Sequence, residues 1–335
     1  MIRCSSPRPS WSSGTTTTRA AWRPGLPGPE PRTVGGPSRA AAVSVASNSL
    51  LIFLKVTVGL LTGAVSILAE AIHSALDLLA AVIAFFGLRA AGKPADQEHP
   101  FGHGKWENVS GSIEAVLIFI AAVWIIYEAV KRIIGGAEVE LLGWGIAVMA
   151  VSAAANTLVS RYLFKSAREH DSLALEADAQ HLRTDVITSL GVLLGLLAVQ
   201  LTGLTILDPI IAIAVALIIV RAAWDILHKS FGGIIDAGLP PAEQRLIADI
   251  LNEHRGALAG FHEIRTRKAG AQRFLELHLV MPRGITVEES HRMCDHLEAD
   301  LRARLPRLEV ALHVEPCDED CPNCPAAACP ERRES

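Results

Sequence analysis

From about Ala41 to Phe231 the chain is built of long apolar runs separated by short polar breaks, and after Gly232 the pattern turns soluble in character. Runs long enough to cross a bilayer, about 20 residues each, fall near 41–62, 65–90, 111–134, 141–165, 174–200 and 206–228. They predict a six-helix α transmembrane domain over residues 41–235. An even number of crossings returns both termini to the same side. Basic residues choose that side. Arg19, Arg23, Arg32 and Arg39 precede the first run, Arg89, Lys93 and Lys105 follow the second, and Arg161, Lys165 and Arg168 follow the fourth. The opposite loops hold only Lys131 and Arg132. Both termini are therefore expected to be cytoplasmic.

The region after Gly232 carries shorter periods. Pro240 to His254 reads as a helix, and Phe261–Lys268 and Arg273–Met281 read as strands around a turn at Ala269–Gln272. Thr286 with Glu289 has the spacing of a capping box for a helix running to about Leu305, and Leu308–Glu315 alternates as a last strand. The order αββαβ over 236–316 suits a small two-layer α/β domain. Residues 1–40 are rich in Ser, Thr, Pro, Gly and Arg without an apolar run, so they are expected to be disordered, and no signal peptide is expected there.

Composition narrows this picture. Half of the 335 residues are apolar and the mean hydropathy is +0.33, between the values expected of a soluble domain and of a chain that is all membrane. A net charge of −4 gives no basic surface for nucleic acid. Of six cysteines, four fall between Cys317 and Cys329, which reads as a local metal or redox feature and not as a disulfide framework.

Two apolar runs carry ionisable residues. The second contains Glu70-Ala-Ile-His73-Ser-Ala-Leu-Asp77 and the fifth Asp178-Ala-Gln-His181-Leu-Arg-Thr-Asp185. In each, His and Asp stand four apart and share one helix face. An ionised Asp at mid-bilayer costs about 2.5–3.5 kcal/mol even on an insertion scale, so two helices with the same costly pattern point away from simple packing. Two opposed faces supply two imidazoles and two carboxylates, the donors that tetrahedral zinc accepts. His73, Asp77, His181 and Asp185 are the candidate transport ligands. Glu70 and Asp178 lie one turn from the His residues, on opposite sides, and bracket the site as access-path carboxylates.

These motifs, with His99-Pro-Phe-Gly-His103-Gly-Lys in the loop after the second run, resemble the cation diffusion facilitator family over roughly residues 41–316. The resemblance implies a homodimer of six-helix membrane domains, each followed by a cytoplasmic metallochaperone-like domain, and export of divalent metal in exchange for protons. His73 implies Zn2+, because members with Asp there also accept cadmium or iron. Asp96, His99 and His103 match a loop metal site. His262, His278, His291, His313 and Glu315 match a cytoplasmic binuclear site, and Lys105 with Asp236 a charge interlock between the two parts. The tail, Cys317-x3-Cys321-x2-Cys324-x4-Cys329, is not a general feature of the family; four thiols in a reducing compartment suit zinc or a softer metal.

Two other function classes draw on the same residue types. A membrane metalloenzyme lacks support: there is no His-Glu-x-x-His, no nucleophile with a paired base, and a four-ligand site leaves no open position for water. A metal-responsive scaffold or sensor that binds without transporting uses the same ligand types, as does transport of Co2+, Fe2+, Cd2+ or Mn2+.

Overall fold

The computed structural model describes residues 35–62, 65–135, 143–204 and 206–317, with the side chains of Glu70 and His73 outside that set. Six long helices come first: α1 (Gly35–Thr62), α2 (Val65–Ala91), α3 (Lys105–Gly135), α4 (Gly143–His170), α5 (Leu173–Thr202) and α6 (Leu207–Ile234). Among the described residues, α1, α3 and α6 are long and apolar enough to cross a membrane; α2 and α5 carry the ionisable residues of the candidate site. The helices outrun the apolar stretches. α1 begins at Gly35, ahead of the run expected from about Ala41, and α3 begins at Lys105, where Glu107 in the first turn suits the positive end of the helix dipole.

The ends of α5 are fixed locally. Ser172 Oγ accepts the Leu175 N–H at the amino end, and Gly203 closes the carboxyl end with a φ of 75°. Small residues let the helices approach closely. Ala40, Ala41, Ala174 and Ala179 are fully buried with Leu163, Leu175 and Leu182 where α1, α4 and α5 meet. Ile118 and Ala122 of α3 pack on Ile219 and Ala223 of α6.

The remaining elements are α7 (Pro241–Glu253), β1 (Gly260–Ala269), β2 (Gln272–Met281), α8 (Val287–Arg304) and β3 (Leu308–Pro316). The sheet order is β1-β2-β3; β1 and β2 are antiparallel, while β2 and β3 are parallel and joined through α8. Leu275, Leu277, Leu279 and Met281, alternate residues of β2, are buried with Ile247, Ile250 and Leu251 of α7 and Leu297 and Leu301 of α8. One face of the sheet is therefore covered by both helices. Thr286 and Glu289 form the capping box at the start of α8.

The β1–β2 turn seats this layer against the helices. The Gly270 N–H donates to Asn108 Oδ1 of α3 at 2.6 Å. A Cβ at Gly270 would meet Glu107 Oε2 and Gly104 O at 2.7 Å, and its φ of 58° independently favours glycine. Lys268 Nζ and Arg273 Nη2 each stand 2.8 Å from Asp171 Oδ2, and Arg273 also grips Glu243 with two hydrogen bonds of 2.8 Å. The Arg267 guanidinium lies 4.9 Å from the Phe101 ring and 4.1 Å from Phe274.

Candidate metal centre

α2 and α5 bring one acid and one His–Asp pair together. Asp77 Oδ1 is 3.2 Å from His181 Nε2, and both residues are buried, at 7% and 9% exposure. Asp185, one turn along α5 from His181, completes a group whose ligand atoms all lie within 4.8 Å of one another. His73 lies four residues before Asp77 on α2, and the expectations on it and on Glu70 fall on side chains outside the described residues. Asp178 is buried on α5, and its Oδ1 accepts a hydrogen bond of 3.1 Å from Ser44 Oγ of α1. Among the described residues, neither Asp178 Oδ2 nor His181 Nδ1 has a hydrogen-bond partner.

A cavity of about 60 Å³ opens beside this group, lined by Asn48, Lys55, Ser74 and Asn156 as well as Asp77 and Asp185. Lys55 Nζ donates to Ser74 Oγ at 2.7 Å. Sequence reading passed over these four polar residues, although a lysine inside an apolar run is the signal that marks a functional position in a membrane. It passed over Glu114 on α3 too, which is fully buried with both carboxylate oxygens lacking a hydrogen-bond partner among the described residues.

In the loop between α2 and α3, Asp96 stands between two imidazoles. His99 Nδ1 is 3.4 Å from Asp96 Oδ1, and His103 Nε2 is 3.4 Å from Asp96 Oδ2. Backbone N–H groups of Glu98 and His99 also donate to Asp96 Oδ1, at 3.1 and 2.7 Å. The His99 backbone bond, opposed by slight desolvation and reinforced by the two imidazoles, holds this carboxyl below its usual pKa. His103 is buried, with Nδ1 3.1 Å from Pro94 O, so its other nitrogen faces the carboxylate.

The three-stranded sheet holds a row of imidazoles across its strands. His262 of β1 pairs with His278 of β2, which pairs with His313 of β3. Glu315 touches all three: it lies 3.3 Å from His262, 3.0 Å from His278 and 3.5 Å from His313. His291, expected with this set, stands apart from it. It is exposed on α8 and lies 3.6 Å from Asp295. The reason is the sheet's alternation: α8 covers the Leu275–Leu277 face, whereas the row is on the other one.

Cys317 is buried, and its N–H donates to Met281 O at 2.8 Å; Cys321, Cys324 and Cys329 lie outside the described residues. Lys105 Nζ and Asp236 Oδ1 are 3.0 Å apart, and the same oxygen is 3.4 Å from Arg267. The Lys105 hydrogen bond, then the charges of Lys105 and Arg267 working against slight desolvation, lower the Asp236 carboxyl below its usual pKa.

Residues 41–235 match the family model described as the cation efflux transmembrane domain, and residues 239–317 match the one described as the cation efflux protein, cytoplasmic domain. The chain belongs to the cation diffusion facilitator family. Like its cation efflux relatives it is an integral membrane transport protein. It is 34% identical over 279 residues to an uncharacterized transporter, sll1263, of a Synechocystis species, covering 83% of this chain and 90% of that one. It is 30% identical to the cation-efflux pump FieF of Serratia proteamaculans, covering 83% and 92%. A solved chain of the candidate zinc transporter CzrB is 45% identical, covers 24% of this chain and 100% of that one, and superposes with a TM-score of 0.24.

For a cation diffusion facilitator, the chemistry of the buried group is direct. A carboxylate and a neutral imidazole both bind a divalent ion, and each does so only after losing its proton.

Proposed function

We propose that this chain exports divalent metal, Zn2+, from the cytoplasm across the membrane in exchange for protons. The observation that carries the reading is the convergence of Asp77, His181 and Asp185, with ligand atoms within 4.8 Å, inside the helical domain. His73, one turn before Asp77 on α2, is the fourth ligand. Imidazole and carboxylate donors in a four-ligand set suit Zn2+ better than Mg2+ or Ca2+. We assign the transport unit to 41–235, with six spans and both termini cytoplasmic, the metal-binding and dimerisation unit to 236–316, and a Cys-rich tail to 317–335. The assembly is a homodimer.

Loading from the cytoplasm displaces protons from His73 and His181 into the cell interior. Opening to the other side, where protons are more abundant, reprotonates the site and releases the ion. Asp178 guards the loading mouth and Glu70 the release mouth. The Asp96–His99–His103 loop delivers or regulates metal, and the His262–His278–His313–Glu315 row reports cytoplasmic metal to the transport unit. No catalytic residue is assigned.

Everted vesicles test the reading. Zn2+ uptake into wild-type vesicles is expected to rise when the interior is made acidic and to fall at least about 10-fold with Asp77→Asn. Metal bound without uptake overturns export and leaves a metal-responsive scaffold, whereas uptake indifferent to the pH gradient overturns the proton coupling alone. Competition of Zn2+ with Co2+, Fe2+, Cd2+ and Mn2+ in wild type and His73→Asp tests the metal: a broader range in the variant makes His73 the selecting residue.

A further inference from the structure

Away from the transport helices and the imidazole row, a second pair of histidines meets an acid on the helical layer of the cytoplasmic domain. His254 caps the carboxyl end of α7, and His296 and Asp300 stand one turn apart on α8. His254 Nε2 is 3.1 Å from Asp300 Oδ2, and His296 Nε2 is 3.8 Å from the same oxygen. The two rings are 5.3 Å apart, and one ligand atom from each residue lies within 4.8 Å of the others.

We propose that His254, His296 and Asp300 form a separate binding site for a divalent transition-metal cation, which staples α7 to α8. Three features carry this. First, ligands around a tetrahedral zinc at about 2.0–2.1 Å stand about 3.3–3.4 Å from one another, and the two His–Asp separations, 3.1 and 3.8 Å, straddle that edge. Second, His254 Nδ1 lies 2.8 Å from Ile250 O. Donating there fixes the tautomer and turns the Nε2 lone pair toward Asp300, the arrangement in which imidazoles ligate metals. Third, the helices are already held at this spacing. Arg304, one turn beyond Asp300, grips Glu253, the neighbour of His254, with hydrogen bonds of 2.8 and 2.6 Å. That pair occupies Glu253, so the staple has three protein ligands and a fourth position for water.

Two imidazoles and one carboxylate select zinc, cobalt or nickel over magnesium or calcium. The site also cannot share ligands with the imidazole row. Leu275, Leu277 and Leu279 of β2 face α7 and α8, so His278 and its neighbours face the other way. The proposal stands independently of transport, because it concerns bound metal and not flux.

The test is zinc stoichiometry of the full-length protein in detergent, by equilibrium dialysis and elemental analysis, for wild type, His296→Ala and His278→Ala. His296→Ala is expected to bind one zinc fewer per chain at limiting zinc, with affinity for that ion falling about 10-fold or more. His278→Ala is expected to keep that ion. The zinc-induced rise in Tm is also expected to shrink in His296→Ala. His296 is exposed, at 63% of its side chain, so its loss spares the core; His296→Gln repeats the measurement with the chain length retained. Zinc stoichiometry and Tm rise equal to wild type in both variants would overturn the site, leaving a His–Asp ion pair. A Tm rise produced equally by magnesium would overturn its chemistry.

Discussion

His181 Nε2 lies 3.2 Å from Asp77 Oδ1, joining α5 to α2 across 104 positions of the chain. The link sits inside the helical domain, beside a polar cavity lined by Asn48, Lys55, Ser74 and Asn156. Removing either leaves its partner buried and short of a hydrogen bond, at a cost of about 1–3 kcal/mol.

Asp77→Asn keeps the shape and removes the charge. Metal flux in reconstituted vesicles is expected to fall at least about 10-fold, while Tm moves by only a few degrees. Flux near the wild-type rate would remove Asp77 from the transport set.

Glu315 is the hub of the cytoplasmic row, within 3.5 Å of His262, His278 and His313. Glu315→Ala is expected to weaken zinc binding at the row more than His313→Ala, because the carboxylate touches all three imidazoles whereas the His313 ring stacks at the end of the row, 4.7 Å from that of His278. Isothermal titration of the two variants compares them. Equal affinity would show that the carboxylate serves only to hold the rings.

Arg273 is buried between Glu243 and Asp171, and its pair with Glu243 is bidentate. Arg273→Met takes the bidentate partner from Glu243 while Lys268 still meets Asp171, and a loss of about 1–3 kcal/mol is expected, seen as a lower Tm. Arg273→Lys restores the charge but not the two-pronged geometry, so it is expected to recover only part of that loss. Full recovery would mean that charge alone matters.

Cys294 is a half-buried thiol on α8. Burial first, then the carboxylates of Glu298 and Asp295, push its pKa up. A raised pKa means less thiolate at a given pH, so alkylation by iodoacetamide is expected to be slow at neutral pH and to quicken only as the solution becomes strongly alkaline. Peptide-resolved mass spectrometry follows it. Modification at pH 7.5 as fast as that of a free thiol would contradict the burial.

Much of this was legible in the chain. Whereas the approach of Asp77 on α2 depends on how the two helices pack, the i, i+4 spacing put His181 and Asp185 on one face of α5, because a helix converts spacing into a shared face without tertiary information. The capping box announced α8 for the same reason. Relations that depend on packing were not legible. His254 and His296 meet only because α7 and α8 lie side by side on one sheet face. The place of His291 on α8, apart from the row, was likewise not legible, because the alternation of β2 does not say which face the helices will cover. Lys55 and Glu114 were visible as charges in apolar runs, but their company was not.

The row of imidazoles is a product of strand pairing. His278 stands opposite His262 on one side and His313 on the other, and Val280 stands opposite Glu315. A slip of β3 by one residue would carry both His313 and Glu315 to the helix-covered side and present Val314 in their place. No single segment of the chain encodes this cluster as a set; the hydrogen-bond ladder assembles it, so the His262–His278–His313–Glu315 juxtaposition exists only when the sheet has closed in the right alignment.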